Sequence, residues 1–446
     1  MKIEGKTFEA LRVGDAAQAE RNLQPKDMRA WAAMSGAAAG GDQQAVVVVA
    51  ALFSSLAATA LPGPGSLVTS CLVQIRRALP VGAPLTLRLT LREKRQGNVV
   101  ALDGQCVDSA GACIATATLE ATAPVAPVAV EVADHRLDSL LARCAALKPM
   151  RTGVVHPCSV AAIAGALEAR EAGLIEPVLF GPQAEIAKLA EGAKLDLSKC
   201  TIVSTADSEE SAAKAAAAAG AGDVQALMKG SLHTDVLLHA VMQKEARLRT
   251  GRLLSHCAAI SIPTYARSVV LTDVALNIAP DTDQKKDICQ NAIGFARALG
   301  VETPKVAVLA AVETVRTKMP ATLDGAILAK MADRRQIVGG IVDGPLDLDA
   351  AVDADAARIK HIVSPVAGAA DVLIAPNIEA GNMIYKDLAF MADAQTAGLV
   401  VGARVPVILT SRADGPAARR FSAAAAVLYA DALAREPDTI LPETAE

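Results

Sequence analysis

The sequence is poor in aromatic residues and has no excess of charge of either sign. Only 2% of its 446 residues are Phe, Trp or Tyr, which leaves few side chains for the base-stacking platforms of single-strand nucleic-acid binders. The 44 Lys and Arg residues nearly balance the 48 Asp and Glu residues, so the formal net charge is −4. Nucleic-acid binding draws on a basic excess that this chain lacks. We therefore expect no nucleic-acid partner, and a core built from Ala, Val, Leu and Ile.

The chain also lacks a long apolar run and a secretory signal. Its longest apolar stretch, residues 45–61, is about 17 residues long, which is short for a membrane span. That stretch contains Ser54, Ser55 and Thr59 and is rich in alanine, so it fits a buried helix better. The first residues carry charges and no apolar segment of the kind that a signal peptide needs. We expect no membrane contact and a cytoplasmic location.

The eight cysteines form no metal-binding pattern. None of them lies in a CxxC pair or beside a histidine at ligand spacing, so we expect no metal site. Scattered cysteines in a chain without a secretory signal are expected to be reduced and to behave as small apolar residues. The sequence also lacks a Walker-type phosphate loop, a nicotinamide fingerprint in the right context and a GxSxG elbow. We therefore expect no tightly bound cofactor.

The composition of the sequence changes near residue 125. Residues 122–128 hold two prolines among small residues, which predicts an interdomain linker. We expect a first domain over residues 1–124, a linker over 125–135 and a second domain over 136–446. In the first part, the apolar helix precedes alternating strands near residues 85–91, 102–106 and 114–120. A long helix followed by an antiparallel sheet that wraps it predicts an α+β hot-dog domain.

After the linker, short apolar strands alternate with helices. The predicted strands include residues 154–156, 177–181, 199–204, 305–309, 370–375 and 405–409. This alternation predicts an α/β, doubly wound parallel sheet. Roughly 310 residues are many for one such sheet, so we expect two lobes with a cleft between them. Lobe 1 would comprise residues of about 136–282 and 404–446, and lobe 2 those of about 283–403.

Polar residues follow several of these strands, where parallel sheets form their ligand crevice. After the strand at residues 226–228, Lys229 offers a cation, Gly230 a flexible backbone, and Ser231 and Thr234 offer hydroxyls near a predicted helix start. Such a loop is suited to holding an anion. The alternative is an ordinary capped helix with a surface lysine.

A second loop carries Ser411, Arg412 and Asp414 after the strand at residues 405–409. An arginine can clamp an oxyanion with two parallel hydrogen bonds, and Asp414 could orient it or accept a proton. The alternative is a helix cap beside a solvated arginine. Two further loops are polar and contain glycine; their residues are Asp343, Gly344 and Pro345 in one, and Asn377, Glu379 and Asn382 in the other.

From about His135 to its end, the chain resembles the phosphate acetyltransferase and phosphate butyryltransferase family. The resemblance is carried by a set of motifs spread over this length, which is specific as a set. They are Lys229 to Thr234, Ser255-His256, Thr272-Asp273 with Asn277 to Pro280, Asp343-Gly344-Pro345 with Asp349 to Ala351, Pro376-Asn377 with Glu379 and Gly381-Asn382, and Ser411 to Asp414.

This resemblance implies reversible acyl transfer between coenzyme A and inorganic phosphate, with acetyl phosphate or another short acyl phosphate as the second product. It implies a two-lobed fold of isocitrate-dehydrogenase-like architecture that forms a dimer or higher homo-oligomer, with coenzyme A as a substrate and no metal. Ser411, Arg412 and Asp414 would be catalytic. Substrate would be bound by Lys229, Gly230, Ser231, His233, Thr234, Asp343, Asn377, Glu379 and Asn382.

The identity of the base that takes the thiol proton stays open. Asp414 is the nearest candidate. In acetyltransferase members the proposed acid lies further along the following helix, at the position where this chain has Ala418. The acyl chain length is therefore open as well. Two other histidines that follow strands, His156 and His256, are expected to be structural.

Residues from about Phe8 to Pro124 resemble a MaoC-like hot-dog hydratase domain, through Val13-Gly14-Asp15, Met34-Ser35-Gly36, residues 61–65 and Arg92-Glu93-Lys94. Such hydratases act through an Asp and a His a few residues apart. This chain has Ala37 at the aspartate position and no histidine before His135; Asp42 is a weak substitute. Without that pair, no acid–base machinery for hydration is evident. We expect a silent domain that serves assembly or acyl-CoA docking.

Three other functions compete with that of a phosphate acyltransferase. A bifunctional enzyme that also hydrates enoyl-CoA is favoured by the N-terminal resemblance and opposed by the missing pair. A non-catalytic acyl-CoA-binding assembly protein is opposed by the intact polar loops. A dehydrogenase of isocitrate type shares the expected architecture, but neither its aspartate cluster nor a nicotinamide site is found.

Overall fold

The computed structural model describes residues 2–35, 45–131, 137–409 and 415–442. The chain divides into two compact units, Met1–Asp134 and His135–Glu446. In the N-terminal unit, the helices are α1 (Pro25–Ser35) and α2 (Ala45–Thr59), and the strands are β1 (Lys2–Glu4), β2 (Ala16–Asn22), β3 (Leu67–Ile75), β4 (Pro84–Arg95), β5 (Val99–Asp108), β6 (Cys113–Thr122) and β7 (Ala129–Glu131).

An antiparallel sheet in the order β2-β4-β5-β6-β3 packs around α2. Strand β4 alternates buried leucines with polar residues, since Leu85 and Leu89 are fully buried while Thr90 faces outward. The ring of Phe53, in the middle of α2, lies over Gly104 of β5 so closely that a Cβ there would be 2.8 Å from its Cε1. The apolar helix and the three alternating strands thus lie where the sequence predicts them.

Part of the predicted linker belongs to this unit. Ala129–Glu131 forms β7, which pairs antiparallel with β1 at the start of the chain. The prolines at residues 124 and 127 end β6 but do not prevent the chain from forming a short strand two residues later, where no proline interrupts the ladder.

The C-terminal unit alternates strands and helices. Its elements are α3 (Asp138–Cys144), β8 (Met150–Val155), α4 (Val160–Glu171), β9 (Ile175–Gly181), α5 (Gln183–Gly192), β10 (Thr201–Ser204), α6 (Ser208–Ala221), β11 (Ala226–Lys229), α7 (Thr234–Val241), β12 (Ser255–Ser261), β13 (Ser268–Thr272), α8 (Thr282–Ala298), β14 (Lys305–Leu309), α9 (Pro320–Asp333), β15 (Ile341–Leu346), α10 (Leu348–Val352), α11 (Ala354–Ile359), β16 (Val372–Ile374), α12 (Ile378–Phe390), β17 (Gln395–Val401), β18 (Val407–Ile408), α13 (Pro416–Arg435) and α14 (Pro437–Ile440).

Eleven of the strands in the described part of this unit form one continuous sheet, in the order β10-β9-β8-β11-β18-β17-β12-β13-β16-β14-β15. The prediction of a parallel sheet is wrong at its centre, where β12 pairs antiparallel with both β13 and β17, and β17 with β18. For two of these three pairs the physical reason lies in the connections: residues 262–267 join β12 to β13 and residues 402–406 join β17 to β18, and both are too short for a crossover.

The mixed centre decides where the loops lie. Strands β8, β9, β10, β11 and β18 run in one direction, and β13, β14, β15 and β16 run in the other. The loops that follow the first group therefore leave one edge of the sheet, and those that follow the second group leave the opposite edge. The single sheet also contains strands from both of the segments that we expect to be separate lobes. The division into lobes stays a prediction.

We predict that Phe53→Ala destabilises the N-terminal unit by about 3–5 kcal/mol, because it empties a fully buried aromatic site. Trp31 is the only tryptophan of the chain and packs against this core. Its fluorescence during urea unfolding therefore reports this unit. The control is Val47→Ala, on the same helix, where the side chain is 52% exposed. Equal unfolding midpoints for the two variants would contradict the packing described.

Candidate functional site

The loop after β11 carries five of the residues predicted to bind substrate. Lys229 is the last residue of the strand, Gly230 and Ser231 follow, His233 precedes α7, and Thr234 is its first residue. Lys229 and Thr234 are half-buried, whereas Ser231 and His233 are exposed. The loop is therefore open to solvent at the edge of the sheet where β8 and β18 also end.

Backbone hydrogen bonds tie this loop to the end of β8. The amide of Gly230 donates to the carbonyl of Val155 over 2.9 Å, and the amide of Ser231 donates to that of His156 over 2.8 Å. A Cβ at residue 230 would lie 2.3 Å from the Val155 oxygen and 2.6 Å from the His156 oxygen. Only glycine permits so close an approach, and the position of Ser231 depends on it.

A cavity of about 400 Å³ lies beside this loop. Its floor is formed by Met228 and Ile408, which are neighbours across β11 and β18, and its walls by α4 and α13. The described lining consists of Ser159, Ala161, Ala162, Gly165, Met228, Lys229, Gly230, Ser231, Ile408 and Arg419. Two cationic side chains, two hydroxyls and several small apolar residues thus surround one space.

The polar end of the cavity is built around the start of α4. Ser159 caps this helix, since its Oγ accepts from the amide of Ala162 at 3.2 Å. The Ser231 hydroxyl donates to the same oxygen over 2.8 Å. A helix N-terminus beside Lys229 presents amide donors and a positive charge to the same space, a combination that favours an anion.

Arg419 lies on the first turns of α13 and closes the other side of the cavity. Its half-buried side chain passes over Gly165 of α4, where a Cβ would lie 3.1 Å from its Cδ. Sequence reasoning missed both Ser159 and Arg419. A serine directly after the His156-Pro157-Cys158 turn signals a helix cap, but the sequence gives no sign that α13 returns to α4.

Ser411, Arg412 and Asp414, the predicted catalytic residues, lie outside the described residues. Residues on both sides of this segment line the cavity: Ile408 before it and Arg419 after it. His256 of β12 contacts the last described residue before this segment: its Nε2 lies 3.3 Å from the carbonyl oxygen of Leu409. The His256 ring lies against Gly398, where a Cβ would be 3.0 Å from the same Nε2. His256 lies within β12, not after a strand as the sequence predicts, and its structural role stays a prediction.

The remaining four predicted residues lie at the opposite edge of the sheet. Asp343 is in β15, and its Oδ1 accepts from the amide of Gly344 at 2.8 Å. Asn377 caps α12 through the amide of Ala380. Asn382 donates from its Nδ2 to the carbonyl of Val274 over 3.0 Å, and Glu379 is exposed in the first turn of α12. None of the four belongs to the described lining of the cavity.

Cys158 directly precedes Ser159 of the cavity lining, and its surroundings favour the protonated thiol. Burial, with the Glu185 carboxylate as a second cause, raises the pKa of the Cys158 thiol to about 11, so it stays protonated at neutral pH. His156, which precedes it in a left-handed conformation, points its Nδ1 towards the hydroxyl of Ser211 on α6 at 3.3 Å. Both residues therefore support the loop rather than supply reactive groups to it.

All eight cysteines, each within the described ranges, are free thiols. Among the described residues, no group of three or more His, Cys, Asp or Glu side chains is arranged to hold a metal ion. Over the same part of the chain, no helix has both the length and the apolar character that crossing a membrane requires.

Comparison with known proteins gives consistent matches for the C-terminal unit. The family model described as phosphate acetyl/butaryl transferase matches residues 206–426. A phosphate acetyltransferase of Rhizobium meliloti is 49% identical over 295 residues, which are 66% of this chain and 93% of that protein. A phosphate butyryltransferase of Clostridium acetobutylicum is 41% identical over 263 residues, covering 59% of this chain and 87% of that protein.

Among solved structures, a branched-chain phosphotransacylase from Enterococcus faecalis V583 superposes with a TM-score of 0.57 at 28% identity. The superposition covers 63% of this chain and 99% of that one. The N-terminal unit lies before the start of the family match at residue 206.

We predict that Gly230→Ala weakens the binding of inorganic phosphate by about tenfold or more, equivalent to about 1.4 kcal/mol. The added Cβ forces the ends of β8 and β11 apart and moves Ser231 and Lys229 from the cavity. Isothermal titration calorimetry measures the affinity. Gly192→Ala, in α5, is the control, because a Cβ there meets nothing within 4 Å. Equal phosphate affinity in both variants would show that the loop does not hold the anion.

Proposed function

The chain belongs to the phosphate acetyl/butyryltransferase family, and on that premise we propose that the cavity between β11, β18, α4 and α13 is its active site. The protein is an enzyme that reversibly transfers an acetyl or other short acyl group between coenzyme A and inorganic phosphate. Coenzyme A is a substrate of this reaction and not a resident group. The observation that carries the assignment is the convergence of Lys229, Ser159, Ser231 and Arg419 on one space.

The reaction requires a site for phosphate beside a site for a thioester. In the direction of acyl phosphate synthesis, a phosphate oxygen attacks the thioester carbonyl carbon and the carbon–sulfur bond breaks. The proton of the phosphate passes to the departing coenzyme A sulfur, so atoms and charge balance. The protein must hold the phosphate close to the carbonyl and supply donors to the oxyanion that develops on the carbonyl oxygen.

The cavity supplies these elements from separate parts of the fold. Lys229 and Arg419 place positive charge on two sides of the space, and the α4 N-terminus adds amide donors. A hydrogen bond to a charged group contributes about 1.5–3 kcal/mol, so a phosphate dianion gains more here than a neutral ligand does. The Ser231 hydroxyl donates to Ser159, which leaves the proton of the Ser159 hydroxyl for the anion. His233 and Thr234 follow in the same loop and lie outside the described lining.

Ser411, Arg412 and Asp414 complete the proposal. By the family resemblance, Arg412 binds the phosphoryl oxygens and Ser411 donates a hydrogen bond to the transition-state oxygen. The fold supports these roles because Ile408 and Arg419, which flank the segment, line the cavity. Asp414 is proposed as the base for the thiol. Ala418 cannot take that part, because its side chain is a methyl group on the first turn of α13.

Asp343, Asn377, Glu379 and Asn382 fit a different role in this proposal. Three of them bond to the backbone nearby, at Gly344, Ala380 and Val274. We assign these three to holding the loops at the opposite edge of the sheet; Glu379 is exposed at the start of α12 and lies outside the described lining of the cavity.

We predict that Arg412→Ala lowers kcat/KM by about 10²–10³-fold or more, the loss typical of removing one charge-stabilising donor. The assay mixes the enzyme with acetyl-CoA and phosphate and follows the released thiol with a thiol reagent. Arg420→Ala is the matched control, since Arg420 is exposed on α13 and outside the described lining. A folded Arg412→Ala enzyme with near wild-type turnover would contradict the site assignment.

For the N-terminal unit we propose a silent hot-dog domain related to MaoC-like hydratases. The sheet wrapped around α2 supports this architecture, and the absence of any histidine before His135 leaves no acid–base pair for hydration. Ala37 and Asp42 lie outside the described residues. A bifunctional hydratase is the alternative, and loss of crotonyl-CoA absorbance on adding the enzyme would establish it.

We also propose that the protein is a cytoplasmic homo-oligomer assembled through β3. This strand is at the edge of its sheet, contains no charged residue or proline, and exposes Leu67 and Leu72 by about two thirds. Unprotected edges of this kind pair with other strands, and an antiparallel second copy would satisfy its backbone groups. A monomer mass in analytical ultracentrifugation at micromolar concentration would contradict this assembly.

A further inference from the structure

A second cavity, of about 560 Å³, lies between α6 and the strands β9 and β10. We call this cavity the α6 groove. Val178, Phe180 and Val203 form its floor, and alanines of α6 form one wall. Ligand pockets commonly have volumes of about 300–1,000 Å³ and mostly apolar linings with a few polar groups. The α6 groove has both properties, and the acyl transfer reaction does not account for it.

The α6 groove and the proposed active site lie on opposite faces of the sheet. Phe180 of β9 and Leu227 of β11 pack with α6 in one apolar cluster, whereas their neighbours Leu179 and Met228 pack with α4 and α13 in another. Successive side chains of a strand point to opposite faces, so α6 covers one face and α4 covers the other. The described linings of the two cavities share no residue. The α6 groove is therefore a separate site.

The path of the chain leaves this groove uncovered. Strand β10 is at the edge of the sheet, and α6 connects it to β11, which lies beyond β9 and β8. The helix crosses these two strands and so lies inward of the edge. Its wall of the groove consists of Ala217, Ala218 and Ala221, which are neighbours on the helix surface because they are three and four residues apart. Side chains of this size leave the space between α6 and Val203 open.

Arg151 and Asp223 place opposite charges at one end of the α6 groove. The amide of Gln225 donates to the carbonyl of Arg151 over 2.8 Å, which brings the turn that carries Asp223 beside the start of β8. Within the described ranges, neither charged side chain makes a hydrogen bond, and the two form no ion pair with each other. Glu176 lies 3.9 Å from Nε of Arg151, beyond hydrogen-bond distance. Both charges are therefore available to a ligand.

Lys214, at the other end of the α6 groove, already has partners within the protein. Its Nζ donates to the carbonyl of Ser204 over 3.1 Å and lies 2.9 Å from a carboxylate oxygen of Glu210. A ligand gains little by replacing these contacts. The charges that a ligand must match are therefore those of Arg151 and Asp223.

Helix α6 ends at the same place as these two charges. Its last residue is Ala221, and Gly222 caps it in the left-handed conformation. The carboxyl end of a helix favours a cation, so it acts together with Asp223 to attract an ammonium group. The guanidinium of Arg151 can hold a carboxylate with two parallel hydrogen bonds. An α-amino acid carries both of these groups on one carbon atom, and its side chain would then lie on the apolar floor.

We propose that the α6 groove binds a free α-amino acid with a large apolar side chain, of which phenylalanine is the representative. Arg151 holds its carboxylate, Asp223 and the end of α6 hold its ammonium group, and Val178 and Ala217 contact its side chain. This inference goes beyond the proposed function. Occupancy of the groove is measured by binding alone, so the outcome does not depend on whether the protein transfers acyl groups.

The first test is isothermal titration calorimetry of the full chain with L-phenylalanine and three related compounds. L-phenylalanine is expected to bind in a saturable manner. 3-Phenylpropanoate lacks the ammonium group, 2-phenylethylamine lacks the carboxylate, and glycine lacks the apolar side chain. Each is expected to bind about 10-fold or more weakly, because it loses a hydrogen bond to a charged group or the burial of the ring. Absence of L-phenylalanine binding, or equal affinity for L-phenylalanine and 3-phenylpropanoate, would overturn the proposal.

The second test assigns the binding to the α6 groove. Ala217→Leu fills the space above the floor and is expected to weaken L-phenylalanine binding by about 10-fold or more. Ala217 is exposed and leucine is a good helix former, so this variant is expected to fold. Ala213→Leu is the matched control: it is exposed on the same helix, lies outside the described lining and should leave the affinity unchanged. Equal affinities in the two variants would overturn the assignment to this groove.

Discussion

The contact between Gly230 and the end of β8 is the constraint on which the candidate site depends. Two backbone hydrogen bonds, to Val155 and His156, pull the loop after β11 against the neighbouring strand, and the lack of a side chain at residue 230 makes that approach possible. Ser231 thereby reaches Ser159, and the start of α4 comes to lie beside Lys229. The cation, the hydroxyls and the helix N-terminus thus act on one volume because three parallel strands end together.

Much of the fold follows from local pattern. The alternating leucines of β4 and the apolar run of α2 each have one dominant period, and both lie where the sequence predicts them. The antiparallel centre does not follow, because β12 and β17 are buried on both faces and show no alternation between buried and exposed residues. Their direction relative to β13 and β18 depends on the short connections that follow them, which periodicity does not encode.

The same distinction applies to the site. Lys229, Gly230 and Ser231 are recognisable because a cation, a glycine and a hydroxyl follow directly after a strand. Arg419 is not, since it reaches the cavity only through the packing of α13 on α4, over the gap that Gly165 leaves. The sequence predicts that Asn377 and Asn382 bind substrate together with Lys229, because in one parallel sheet their loops would leave the same edge. The reversal of strand direction places these loops at opposite edges.

The most direct test of this account is hydrogen–deuterium exchange with and without saturating acetyl phosphate, in the absence of coenzyme A. The account predicts slower exchange in peptides that cover residues 157–165 and 229–236, where Ser159, Lys229 and Ser231 surround the cavity. Peptides that cover residues 377–385, at the other edge of the sheet, should be unaffected. Slower exchange at residues 377–385 with none at 229–236 would contradict the placement of the active site.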